Sequence, residues 1–343
     1  MNKKEHEKLD FTSLNVSNLA AQDYPDSSWN RAVKIHEHGD PFCCRTEWAL
    51  SFHEVFSPLR AIHILESHGS FLLLASSKKD SKETLFEPLD NSWSFGCPLL
   101  GEYSLDMLDL FLQHQAKTEG PYACNISGLK KGSQLFHKSA KTFRSNYDIF
   151  FSRPNIQCYA SLEGGIEGYL SRRSGHFRRR LCQSNRKAKQ KSVSFERVSP
   201  ANHDQVLVAY GRMLAIEEAS WKGIGKCGMT SDKSLHFYKA MLKRLSVNAA
   251  GRIVFAQYDN KDIGFIMGGI AAEVYRGQQF SYAEEWSSYS IGNILQFEQL
   301  VWLCEDGVGR YDMGPLMEYK KHWTEECVDI VTVQLRSKNA WPR

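Results

Sequence analysis

Three stretches of this chain carry residues of the right type and spacing for chemistry. Glu217 and Glu218 lie in Ile216-Glu-Glu-Ala-Ser-Trp-Lys-Gly223, within a segment whose Leu207, Tyr210, Leu214 and Trp221 mark one apolar helical face. At about 100° per residue, Glu217 projects within about 40° of that face and Glu218 about 60° off on its other side. A carboxylate beside apolar side chains has its pKa raised by desolvation, which suits a general base near neutral pH. The same position also suits a rim carboxylate, solvated or paired with Lys222. Ser290-Ile-Gly-Asn293 opens a helix with two good capping residues and a glycine, where backbone N–H groups can hold an anion or simply accept a cap. Asp312 ends a presumed strand beside Gly314, where α/β folds often place chemistry, although an Asp next to a Gly also shapes an ordinary turn. Glu284 and Glu285 are neighbours on a presumed strand, so at most one of them faces a cleft. The 12 His show no ligand spacing, and no metal is expected. The 9 Cys are scattered without a CxxC pair, as expected of buried thiols in a reducing compartment.

The elements that must position these residues follow from periodicity. Glu47–Phe56 and Leu105–Lys117 read as helices, and Ala61–Leu65 with Ser70–Ser76 as a hairpin turning at His68-Gly69. Tyr169–Lys191 reads as one amphipathic helix with Leu170, Phe177, Leu181 and Ala188 on a single line. Helices over Asn202–Ser220 and around Leu235–Leu245 precede strands at Arg252–Tyr258, Ile263–Val274 and Gln279–Trp286. The pair Gly268-Gly269 marks a bulge or a close backbone approach. A crossover helix over Asn293–Cys304 then leads to strands at Gly309–Gly314 and Val328–Leu335, which close an α/β sheet with at least one parallel pair.

The 343 residues, 42% hydrophobic and 24% charged, exclude disorder and repeat arrays and allow two lobes. No apolar run approaches the roughly 20 residues that span a bilayer, and the polar start Met1–Lys8 lacks the apolar core of a signal peptide, so a cytoplasmic protein is expected. The formal charge of +4 is local. Gly168–Phe195 holds nine Lys or Arg and no acid; without them 34 bases face 39 acids, a net −5. A charge run is ordinarily a solvated face. This one also suits phosphates or an acidic protein surface, and it sits at the natural join between two halves.

From about residue 165 to 335 the chain resembles the GNAT acyltransferase superfamily, in particular its BioF2-like, CelD-type (cellulose-biosynthesis) branch. The resemblance rests on Phe177-Arg-Arg-Arg-Leu181, Ile216–Gly223, Tyr289-Ser-Ile-Gly-Asn-Ile-Leu295, Tyr311-Asp-Met-Gly314 and Tyr319-Lys-Lys-His-Trp323. It implies an α/β GNAT N-acyltransferase fold with two tandem GNAT-like lobes, the N-terminal one degenerate. The expected layout is an arm over 1–40, a degenerate lobe over 41–165, a basic connecting helix over 166–195 and the acyltransferase domain over 196–343. The implied reaction moves an acyl group from an acyl-CoA or acyl carrier protein thioester to an amine on a small molecule, sugar or peptide. In that scheme Glu217, with Glu218 or Asp312 as alternatives, takes the amine proton, and Tyr319 protonates the departing thiolate. Ser290, Ile291, Gly292 and Asn293 hold the pyrophosphate, with Arg178, Arg179 and Arg180 as further phosphate contacts. Trp221, Lys222, Glu284, Lys320 and Trp323 line the substrate. The turn at Ser290 carries fewer Gly than the superfamily's usual loop and lacks its Arg or Gln. Two other readings stay open: a Fem-like transferase using an aminoacyl-tRNA donor, the one case where nucleic acid is expected, and a non-catalytic GNAT-like scaffold in polysaccharide or lipid biosynthesis.

Overall fold

A computed structural model describes residues 28–35, 40–79, 83–118, 121–225 and 227–338. The rest of the expected 1–40 arm lies outside the described residues; Ser28–Ile35 is a helix, α1. The chain forms two compact units, one running to Asn155 and resuming at Asp329, the other covering Ile156–Val328.

The first unit contains α1, α2 (Thr46–Phe56), β1 (Ala61–Ser67), β2 (Ser70–Lys79), β3 (Glu83–Glu87), β4 (Leu99–Leu100), α3 (Ser104–Thr118), β5 (Tyr122–Lys130), α4 (Gln134–Phe143) and β6 (Tyr147–Phe151). The β1–β2 hairpin turns at His68 and Gly69, both at positive φ, the conformation a two-residue hairpin loop requires. On α2, Trp48 and Phe52 are buried as their i, i+4 spacing demands, and Phe52 stacks on Phe56. The C-terminal strand β13 (Glu326–Ser337) pairs with β5 and β6, so Val328–Leu335 completes this sheet.

The second unit contains β7 (Asn155–Ser161), α5 (Gly165–Ser171), α6 (Gly175–Gln190), β8 (Ser194–Val198), α7 (His203–Glu218), α8 (Trp221–Ile224), α9 (Asp232–Ser246), β9 (Gly251–Tyr258), β10 (Lys261–Ala271), β11 (Val274–Tyr282), α10 (Ile291–Glu305) and β12 (Arg310–Pro315). Its strands lie in the order β7-β12-β11-β10-β9-β8. The connection from β11 through α10 returns to a parallel neighbour, β12, whereas β9, β10 and β11 form an antiparallel meander.

Several expectations change here. The basic segment is two helices rather than one: α5 ends at Ser171, and the Ser174 hydroxyl accepts the Phe177 N–H to start α6. The apolar stripe survives the break, since Leu181 and Ala188 are buried and Phe177 packs edge-on against Trp323. α7 buries Val206, Ala209, Tyr210, Met213, Ile216 and Glu217. Its buried face is thus turned by about one residue, some 100°, from the one drawn through Leu207 and Leu214; Leu207 and Trp221 are 40% and 56% exposed. The turn between β10 and β11 falls at Ala272-Glu273, with Ala272 at φ 53°, so β11 ends at Tyr282. Glu284 and Glu285 therefore sit on a 3-10 turn over Glu284–Tyr289 and are exposed, not on two sides of a strand.

Candidate active site

The parallel strands β11 and β12 stay together for three residue pairs only: Val274 with Arg310, Tyr275 with Tyr311 and Arg276 with Asp312. Each strand then carries an irregularity at the same level. On β11 the register against β10 slips so that Gly277 faces Gly268 and Gln279 faces Met267, leaving Gln278 extra. On β12 the register against β7 slips between Asp312 and Gly314, leaving Met313 extra. An extra residue bends its strand and sharpens its twist, and two bends at one level part the strands. The opening is a pocket of about 50 Å³ lined by Gly277–Phe280 on one side and Tyr311 and Met313 on the other, with Ile266, Gln296, Tyr319 and Lys320.

Glycines at the bend are sterically required. A Cβ on Gly268 would lie 2.2 Å from the Arg276 carbonyl oxygen, and one on Gly277 would lie 2.8 Å from Tyr311 Oη. The paired glycines of the sequence thus mark a real bulge and a close approach. At the last β11–β12 pair, the Arg276 guanidinium pairs with the Asp312 carboxylate, whose other oxygen accepts the Gly314 N–H at 2.7 Å. Asp312 is 1% exposed; its carboxylate organises the β12 bend, which is the turn-shaping reading of this residue.

Two lysines reach backbone carbonyls of the parting strands. Lys222 Nζ donates to Phe280 O at 2.7 Å and to Gln279 Oε1 at 3.3 Å. Lys320 Nζ donates to Met313 O and Pro315 O at 2.6 and 2.8 Å. Both meet carbonyls at the level where the β11–β12 pairing has ended, so a side chain supplies there what a ladder would. Burial, the largest cause, lowers the Lys222 ammonium, with Glu217 acting in the opposite direction. Burial, with Arg276 nearby, lowers Lys320 to about 8.

Glu217 is fully buried, and its Oε1 accepts the Met229 N–H at 2.9 Å and lies 3.9 Å from Lys222 Nζ. Its Oε2 has no hydrogen-bond partner among the described residues. It does not line the pocket; its link to the pocket wall runs through Lys222. Glu218 is exposed, as is Glu284, and Trp221 points largely into solvent. Trp323 is buried among Tyr169, Leu181 and Phe177, a core position. Tyr319, 39% exposed, does line the pocket, and partial burial pushes its phenol up to about 12.

At the start of α10, Ser290 adopts φ 59° and ψ 34° and caps the helix, its carbonyl accepting the N–H groups of Asn293 and Ile294. The N–H groups of Ile291 and Gly292 belong to the first turn, which has no intrahelical acceptor for them. Gly292 is small for a packing reason: a Cβ there would lie 3.1 Å from the Phe280 ring. Phe280 also meets Tyr319 edge-on at 6.0 Å and lies 5.6 Å from Lys222 Nζ. From the basic segment, Lys191, just past the end of α6, lies over the ring of Tyr289 at 5.6 Å, one residue before this turn. Arg178, Arg179 and Arg180 are exposed, with Phe177 beside them on Trp323, about 16 Å or more up the helix from Lys191 at 1.5 Å per residue. Gln278, Gln279 and Phe280 carry no signal in the sequence that sets them apart from ordinary strand residues, whereas Lys191 belongs to the basic run of Gly168–Phe195. Only the parallel register of β11 with β12 singles out the first three.

Residues 175–321 match the acetyltransferase (GNAT) domain family. No curated protein matches the chain in sequence. Among solved structures the chain shares its fold with FemX (TM-score 0.65, 12% identity, 89% of this chain and 94% of that one). A conserved protein of unknown function from Bacteroides thetaiotaomicron is similar (TM-score 0.64, 8% identity, 96% and 100%). So is L-PGS from Bacillus licheniformis (TM-score 0.56, 10% identity, 93% and 94%). The fold is thus the α/β GNAT fold, and the matched domain holds the parted strands and the α10 turn. Among the described residues no cluster of His, Cys, Asp or Glu could hold a metal, and no helix is long and apolar enough to cross a membrane.

Proposed function

We propose that the chain is an N-acyltransferase that takes an acyl group from an acyl-CoA or carrier-protein thioester and gives it to an amine. The observation that carries this reading is the opening between β11 and β12. Strands parted over Gly277–Phe280 and Met313–Pro315 leave backbone groups free of the β11–β12 ladder, and such groups can pair with the amides of a pantetheine arm. Two features of the residues fit that arm. Gln278 Nε2 is buried with no partner among the described residues, a donor suited to a carbonyl oxygen. The first turn of α10 presents N–H groups to an anion, with Lys191 close by.

In this reading Tyr319, un-ionised at neutral pH, gives its proton to the departing thiolate. Glu217 is the base, reached through Lys222 at the pocket wall: the Lys222 ammonium gives a proton to the Glu217 carboxylate behind it, and the Lys222 amine so freed takes the proton that the acceptor amine loses. The BioF2-like and CelD-type branch, and the acceptor's class as small molecule, sugar or peptide, belong to the same proposal.

Isothermal titration with acetyl-CoA tests it. Ser290→Asp places a carboxylate at a helix N-terminus, which favours the helix, in a left-handed conformation Asp tolerates. The variant should keep its melting temperature, bind acetyl-CoA at least tenfold more weakly, and bind acyl-pantetheine unchanged. Equal acetyl-CoA binding by variant and wild type would overturn the site.

A Fem-like, aminoacyl-tRNA-dependent transfer has one observation in its favour. The outer face of α6 forms an open groove lined by Arg178, Arg179 and Arg186. Salt-sensitive tRNA binding lost on replacing Arg178–Arg180, without acetyl-CoA binding, would select it.

A further inference from the structure

Cys158 and Cys327 are 169 residues apart in sequence, yet their sulfurs lie 2.7 Å apart. Non-bonded carbon atoms stay about 3.5–4.0 Å apart, and sulfur is larger, whereas a disulfide bond is about 2.05 Å. Neither cysteine lines the pocket or enters the acyl-transfer scheme.

Their backbones are held on both sides. Cys158 lies on β7 opposite Gly314 of β12. One residue on, the Tyr159 carbonyl accepts the Glu325 N–H, and the Ser161 N–H donates to Glu325 Oε1 at 2.9 Å. Arg173 clasps the same stretch through the Trp323 carbonyl at 2.8 Å and the Glu325 carboxylate. The two thiols differ in access: Cys158 is buried and Cys327 exposed. Burial holds the Cys158 thiol up at about 12, with the Lys320 charge and a Thr324 hydrogen bond acting to lower it.

We propose that Cys158 and Cys327 form a site of oxidative modification, a dithiol that hydroperoxides convert to a disulfide. The exposed Cys327 thiolate attacks the peroxide oxygen, giving a sulfenic acid and releasing water or an alcohol. Cys158 sulfur then attacks the sulfenic sulfur, the S–S bond forms, and hydroxide leaves with the Cys158 proton as water. Two thiols lose two electrons and two protons, and the hydroperoxide is reduced. The bond closes the stretch between β12 and Cys327, which carries Tyr319 and Lys320, onto β7. This inference is independent of the proposed acyl transfer.

Peptide mapping of the full chain tests it, after near-stoichiometric hydrogen peroxide, alkylation and digestion without reductant. Cys182 and Cys227, also exposed, serve as internal comparison. A peptide joining Cys158 to Cys327 should accumulate before either comparison thiol is oxidised, and dithiothreitol should reverse it. The oxidised protein should melt higher, because the link closes a long loop in the unfolded chain. Cys327→Ser, at an exposed position, should abolish both effects while leaving the untreated melt unchanged. In Cys158→Ala, dimedone should trap a sulfenic acid at Cys327. Oxidation of Cys182 or Cys227 first, or over-oxidation of Cys327 with Cys158 still free to alkylate after unfolding, would overturn the proposal.

Discussion

Replacing Asp312 by Ala should unfold the second unit well below its normal temperature. The Arg276 and Asp312 side chains are 3% and 2% exposed, and their charges meet directly. Removing the carboxylate takes the counter-charge from a buried guanidinium and the acceptor from the Gly314 N–H. Breaking a buried pair by removing one partner costs about 3–5 kcal/mol. For a unit of this size each kcal/mol lowers the melting temperature by about 2–4 °C, so a fall of about 6–20 °C follows. Circular dichroism melts, with urea titration for the free energy, give the number. Asp312→Asn keeps an oxygen for Gly314 and should lose less, and Asp312→Leu combined with Arg276→Met should lose less than the two single changes summed. A cost below about 1 kcal/mol for Asp312→Ala would refute the view that this pair anchors the β12 bend.

Gly268→Ala should destabilise the same unit by about 1–3 kcal/mol in a denaturant titration, since its Cβ would meet the Arg276 backbone at 2.2 Å and neither strand can yield cheaply. Lys320 links stability to pH. Its folded value of about 8 lies below the ordinary 10.5, so between these the unfolded chain binds more protons and stability rises with pH. Lys320→Met should flatten that rise, read from urea midpoints across pH 7.5 to 10.5. Glu217→Gln should leave acetyl-CoA affinity within about twofold and lower the transfer rate at least tenfold in a thiol-release assay. A rate unchanged by that substitution would remove Glu217 from the proton path.

The sequence carried the outline of this molecule through local pattern. The stripe of Leu181 and Ala188, the His68-Gly69 hairpin and the paired glycines at the bulge each have a short-range cause: helical period, positive φ and missing Cβ. Local pattern gives the wrong phase for α7, because Leu207, Leu214 and Trp221 repeat at seven-residue intervals while the chain buries Val206, Met213 and the carboxylate of Glu217. Polarity alone gives no reason to place a Glu at a fully buried helix position; the Met229 N–H that donates to it comes from a different segment. The end of β11 is hard to place from sequence because Trp286 follows Phe280 and Tyr282 at even spacing, although Ala283, Glu284 and Glu285 between them disfavour a strand. The parting of β11 from β12 depends on a parallel register between residues about 36 apart in sequence, which no local period encodes.

Hydrogen exchange in the presence of acetyl-CoA tests the central claim most directly. If the parted strands receive the acyl thioester, saturating acetyl-CoA should slow exchange at the amides of Gly277–Phe280, at Met313 and Gly314, and at Ile291 and Gly292, and leave the first unit unchanged. No protection at Gly277–Phe280, with acetyl-CoA bound elsewhere or not at all, would contradict the account.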